Sequence, residues 1–115
     1  MTDIKTLNDN FRKSFNGGKV LLTTGINAKS QNEVAEILNQ VRCFNNFTKA
    51  NDPYNEHDFG SFDYNGEKIF WKIDYYDKDY RYLSENPSNP DITNRVMTIM
   101  PVSYTHLRAH ETAAN

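Results

Sequence analysis

Cysteine is nearly absent from this 115-residue chain. Cys43 stands alone, which excludes an internal disulfide and a cysteine-rich zinc site. Long apolar runs are missing too. None approaches the roughly 18 residues that a membrane span needs. The opening Met-Thr-Asp-Ile-Lys-Thr has no apolar stretch behind its charges, so no secretory signal is expected. Nor is there a strong excess of either charge. Thirteen Lys and Arg against 15 Asp and Glu give a formal charge of −2, which argues against a grossly basic nucleic-acid binder and against a polyacidic tail. What remains is a polar but globular composition. Its 37% hydrophobic residues suffice for one modest core, so a single cytoplasmic domain is expected.

The C-terminus stands apart. Residues 102–112, Val-Ser-Tyr-Thr-His-Leu-Arg-Ala-His-Glu-Thr, resemble the translation of a transposase sequencing adapter over eleven consecutive residues. The expected division is a domain over 1–101 and a non-native tail over 102–115. His106 and His110, four apart and able to imitate a metal pair on a helix, leave the argument with that tail. One histidine then survives, His57.

Local patterns give an element order. Ile4, Leu7, Phe11 and Phe15 follow the 3.6-residue period of a helix face. Thr2 or Asp3 can cap its start, and Gly17-Gly18 can end it. Lys19–Thr24 is rich in strand formers. Ser30-Gln-Asn-Glu33 has the form of a capping box ahead of Val34, Ile37, Leu38, Val41 and Phe44. Cys43 falls roughly opposite that stripe, where a free thiol without a task is expected. A polar loop over 49–58 precedes two aromatic runs separated by Asn65-Gly66, the dipeptide that best fits a two-residue hairpin loop. A Pro/Asn/Ser connector over 83–94 leads to a last strand at Val96–Met100. The expected fold is α+β: a mostly antiparallel sheet of three to four strands with two helices, in the order α-β-α-β-β-β.

A two-residue loop sets a register in which partner numbers sum to 131. Phe62 meets Ile69, Gly60 meets Trp71, and Asp63 meets Lys68. Gly60 leaves room for the indole. By the same sum, His57 meets Asp74, with cross-strand Cβ atoms about 5 Å apart. A histidine held by a carboxylate can serve as a general base or a metal ligand, and Glu56 would assist. The plainer expectation is a structural bond that pins the strand's start. A hydrolase-like or metal-dependent enzyme centred on His57 and Asp74, with Glu56 and Asp58, is therefore the alternative. The leading expectation is a binding or regulatory domain, working through the 49–58 loop, with Asp52 and Asp58, and through an aromatic rim of Tyr75, Tyr76, Tyr80 and Tyr82. Single-stranded nucleic acid could stack on the aromatics interleaved with Lys and Arg over 68–82, but the aspartates there leave that segment at only +1. No cofactor is indicated; a protein partner fits, and a membrane does not. Gly17-Gly18-Lys19 lacks the first glycine and the Ser/Thr of a phosphate loop, and it precedes a strand rather than following one.

Asn51-Asp-Pro-Tyr-Asn-Glu-His-Asp-Phe-Gly60, Phe70-Trp-Lys-Ile-Asp-Tyr-Tyr-Asp77 and Thr93-Asn-Arg-Val-Met-Thr-Ile-Met100 resemble a family of small bacterial proteins, domain of unknown function 3768. The resemblance runs over residues 6–100 and includes Phe11 to Gly25. It departs at the tail, where family members continue the last strand. It implies a small soluble protein and carries over no catalytic role.

Overall fold

A computed structural model describes residues 3–102. The tail set aside above, with His106 and His110, lies outside these residues except for Val102, which ends the last strand. Three helices and four strands follow one another: α1 (Ile4–Ser14), β1 (Gly18–Leu22), α2 (Thr24–Asn27), α3 (Gln31–Cys43), β2 (Phe59–Tyr64), β3 (Glu67–Tyr76) and β4 (Asn94–Val102). The strands form one sheet in the order β1-β4-β3-β2. The sheet is mostly antiparallel, as expected, but it is mixed, because β1 runs parallel to β4. The expected count of two helices is corrected. A third helix, the single turn α2, lies between β1 and α3.

The side chain of Asp3 caps α1, accepting from the Thr6 amide at 2.8 Å. The stop is not glycine. Phe15 itself takes the left-handed conformation (φ 61°), and its N–H returns to the Phe11 carbonyl at 2.6 Å. Gly18 serves another need. A Cβ there would lie 2.5 Å from the Arg95 carbonyl and 2.8 Å from the Phe11 ring, so only glycine lets β1 start so close to β4. The buried stripe of α1 also differs from an apolar reading. Asn8 and Arg12 are buried with Phe11, whereas Ile4 and Leu7 are half-buried.

In α3 the capping box is complete, with the Glu33 amide to Ser30 Oγ and the Ser30 amide to Glu33 Oε1 both at 3.2 Å. Ile37 and Val41 are fully buried, and Val34, Leu38 and Phe44 pack against them, as the periodicity predicts. The hairpin is also as expected. Asn65 (φ 50°) and Gly66 (φ 81°) occupy the left-handed region that a tight two-residue reversal requires. The ladder pairs Tyr64 with Glu67, Phe62 with Ile69, Gly60 with Trp71 and Phe59 with Lys72.

Helices and sheet enclose one core of Phe11, Ile26, Ile37, Val41, Ile69, Trp71, Ile73, Met97 and Ile99, with the Tyr64 ring at its edge. Trp71 sits at the centre, fully buried, meeting Phe44 and Phe47 edge-on at 5.6 and 6.2 Å. A Cβ on Gly60 would come within 2.6 Å of the indole nitrogen and 2.7 Å of the Phe44 ring, so the glycine is where the indole fits. The other face of β3 carries Lys68, Phe70, Lys72, Asp74 and Tyr76, alternating with the core positions.

Candidate functional site

The 52–58 loop is shaped by one buried carboxylate. Asp52 Oδ1 accepts the amide hydrogens of Glu56 (2.9 Å) and His57 (3.2 Å). Two residues of the loop, Asn55 (φ 57°) and His57 (φ 55°), are held in the left-handed region, where non-glycine residues are strained. The chain joins the sheet only after that kink. Asp58 is the first residue to bond β3, its carbonyl accepting from Ile73 N at 2.8 Å. Beyond Ile73 the same edge of β3 is taken by another segment: Ser84 N donates to Tyr75 O (3.0 Å) and Asp77 N to Tyr82 O (2.8 Å), with Leu83 bridging Tyr76.

The predicted pairing of His57 with Asp74 is therefore not made. The register holds as far as Asp58, and the left-handed His57 then turns the imidazole away from the sheet. Its Nδ1 lies 2.9 Å from Asp9 Oδ1 on α1, and its Nε2 lies 3.6 Å from Asp52 Oδ2. One ring face stacks on Phe47, with centroids 3.7 Å and planes 3° apart. His57 does border a hollow of about 330 Å³ with Phe47, Thr48 and Pro53, but both its nitrogens face carboxylates. Asp74 sits on the open sheet face, 3.3 Å from Lys72 Nζ. Among the described residues no group of three His, Cys, Asp or Glu side chains is placed to hold a metal ion.

Asp9 also receives Arg12 Nη2 at 3.0 Å. The buried Arg12 sends Nη1 to the carbonyls of Val41 (3.1 Å) and Arg42 (3.0 Å) in the last turn of α3, where the Val41 oxygen also accepts the Phe44 amide at 3.3 Å. Its guanidinium lies over Phe47 and Trp71 at 5.5 and 5.4 Å. His57, Asp9, Arg12 and Phe47 thus join α1, the end of α3 and the loop.

A second polar chain starts on β4. Arg95 Nε donates to Asn8 Oδ1 at 2.8 Å, and its Nη2 donates to the Pro87 carbonyl. Asn8 Nδ2 donates to the Tyr75 hydroxyl (2.8 Å) and to the Glu56 carbonyl (3.0 Å). Tyr75 in turn donates to Glu56 Oε1 at 3.0 Å. Burial pushes the Tyr75 phenol well above its ordinary range, so it remains a donor at neutral pH. Burial also lowers the Arg95 guanidinium somewhat. Tyr75 was expected on a rim; it points inward and supports Glu56 instead.

Glu56 borders the larger groove, of about 410 Å³, between the start of α1, the loop and Ser88. Ile4, Lys5 and the exposed Tyr54 form its sides. Asp58 lies nearby and half-buried. Burial first, then the charges of Glu56, Asp52 and Asp74, hold its carboxyl above the ordinary 3.8. A raised folded value favours the protonated acid, so its contribution is fully present below the unfolded value and is lost as pH rises through the folded one. Asp58→Asn is expected to raise the melting temperature at neutral pH and to leave it unchanged near about pH 3. Melting curves at the two pH values check this.

The remaining tyrosines divide. Tyr76 is half-buried beside Tyr80, and Lys19 Nζ lies 4.3 Å over the Tyr80 ring. Tyr82 and Leu83 are exposed at 71% and 73%, so of the expected rim Tyr82 lies outermost, whereas Tyr75 and Tyr76 are half-buried. On the sheet face proposed for nucleic acid, Lys68 and Lys72 each face an aspartate, Asp63 at 3.6 Å and Asp74 at 3.3 Å. Sequence reasoning missed Asn8, Asp9, Arg12, Phe47 and Arg95. Asn8 and Arg12 did leave a signal, since with Phe11 and Phe15 they share one helix face.

The family described as protein of unknown function (DUF3768) matches residues 22–103, well over half of the chain. The chain belongs to that family. The match contains the hairpin, β4 and the whole 52–58 loop; α1 and most of β1, which the sequence resemblance included, lie outside it. Comparison with curated proteins and with solved structures gave no match. The biochemical function of this DUF3768 protein is unknown. Among the described residues no helix is long and apolar enough to cross a membrane.

Proposed function

We propose that this DUF3768 protein is a binding or regulatory module whose ligand enters the groove between α1, the 52–58 loop and Ser88. The observation that carries this reading is the Glu56 carboxylate. It is half-buried at the groove and held on one oxygen by Tyr75, which Asn8 and Arg95 hold in turn. A polar group fixed in advance beside apolar walls is what a recognition site requires. A catalytic reading on His57 has less support, because both ring nitrogens are directed at carboxylates and one ring face is covered by Phe47. Asp52 supports the module by shaping the loop.

Amide chemical-shift mapping with small charged and neutral aromatic compounds tests this reading. Perturbed amides should cluster at residues 4–5, 54–56 and 88. Clustering around Thr48 and His57, or on the outer face of β3, would place binding elsewhere and overturn it.

A further inference from the structure

The chemistry of the groove specifies the charge of its occupant, an inference that rests on the binding reading above. Glu56 Oε1 is taken by Tyr75, whereas Oε2 has no hydrogen-bond partner among the described residues. No Lys, Arg or His among them forms an ion pair with this carboxylate. Arg95 makes no ion pair with it; its charge acts on the carboxylate from a distance, and its hydrogen bonds reach it through Asn8 and Tyr75. A fixed carboxylate oxygen beside apolar walls, without a donor, favours a charged donor brought from outside.

The rest of the lining agrees. The first turn of α1 would ordinarily attract an anion, but Asp3 already caps it through the Thr6 amide and brings a second carboxylate to the groove. Lys5 is the one cation in the lining, on a flexible stem. Ile4 and the Tyr54 ring offer apolar contact on the sides, and an aromatic ring face also attracts cations. At about 410 Å³ the groove suits a small organic group.

We infer that the groove binds an alkylammonium group carrying a short apolar body, with the ammonium on Glu56 Oε2 and the body between Ile4 and Tyr54. Such a group could come from a free amine or from a lysine side chain of a polypeptide; both present the same head.

Amide chemical-shift titrations of the full chain separate the possibilities, using 2-phenylethylammonium, N-acetyl-lysine amide, the neutral isostere 2-phenylethanol and the anion 3-phenylpropionate. Saturable shifts at residues 4–5 and 54–56 are expected from one or both cations, the tighter of the two identifying the source. Glu56→Gln keeps an oxygen for Tyr75 and removes the charge. It should weaken cation binding about tenfold or more while the melting temperature stays near that of the wild type. Equal affinity in Glu56→Gln, or equal affinity for the neutral alcohol, overturns the inference. Shifts in the groove from the alcohol or the carboxylate but from neither cation would overturn the charge assignment and leave the groove a binding site. Silence from all four compounds would overturn both readings.

Discussion

Trp71→Ala should lower the unfolding free energy by about 3–5 kcal/mol, the usual cost of truncating a fully buried tryptophan. The loss is large because the indole is where the hairpin, α3 and the loop meet. It is fully buried, edge-on to Phe44 and Phe47, and accommodated by Gly60 across the ladder. Its Nε1–H is buried with no hydrogen-bond partner among the described residues. Trp71→Phe should therefore cost less, about 1–3 kcal/mol, because a cavity is created while an unsatisfied donor is removed. Urea unfolding of the two variants checks the order. A Phe variant as unstable as the Ala variant would show that the indole nitrogen has a partner.

Arg12→Ala should cost about 3 kcal/mol, from unmade charge-assisted bonds and a buried void. One guanidinium serves the carbonyls of Val41 and Arg42 and the carboxylate of Asp9 while filling space beside Trp71 and Phe47. Lysine does not replace it. An ammonium has three donors but on one nitrogen, and lacks the planar fork that sets Nη1 toward α3 and Nη2 toward Asp9, so Arg12→Lys should recover less than half of the loss. Urea unfolding of the two Arg12 variants measures this. Hydrogen exchange distinguishes the mechanism: amides in the last turn of α3 and in the 44–58 loop should lose protection before those of β3 and β4.

These two side chains mark how far the sequence could be read. The hairpin was legible because Asn65-Gly66 can satisfy two successive positive φ angles, and because alternation along Ile69, Trp71 and Ile73 leaves one register that buries them. The start of α3 was legible because Ser30 and Glu33 carry out their reciprocal bonds locally. The parallel pairing of β1 with β4 was not. Nothing in Gly18–Leu22 encodes which distant strand it will join, and its burial is incomplete. The single turn α2 has no side-chain cap to announce it. On α1 the apolar period indicated a helix correctly, yet the buried face is half polar, and hydrophobic spacing gives no weight to Asn8 or Arg12.

The candidate site failed to be legible for a more specific reason. Extrapolating the hairpin sum past Asp58 assumed extended backbone at His57. A histidine adopts φ 55° only when its surroundings hold it there, and the agent is the side chain of Asp52, five residues away. Glu56 was identified as a site residue, but as an assistant to His57. Its position at a groove depends on Asn8 and Arg95, residues distant in sequence and contributed by α1 and β4.

Double-mutant cycles by urea unfolding test most directly the claim that His57 is a clasp between the loop and α1. His57→Ala combined with Asp9→Ala should show a coupling of at least about 0.5 kcal/mol, as expected for side chains in direct contact. His57→Ala combined with Asp74→Ala should be additive. Coupling to Asp74, with none to Asp9, would contradict the account.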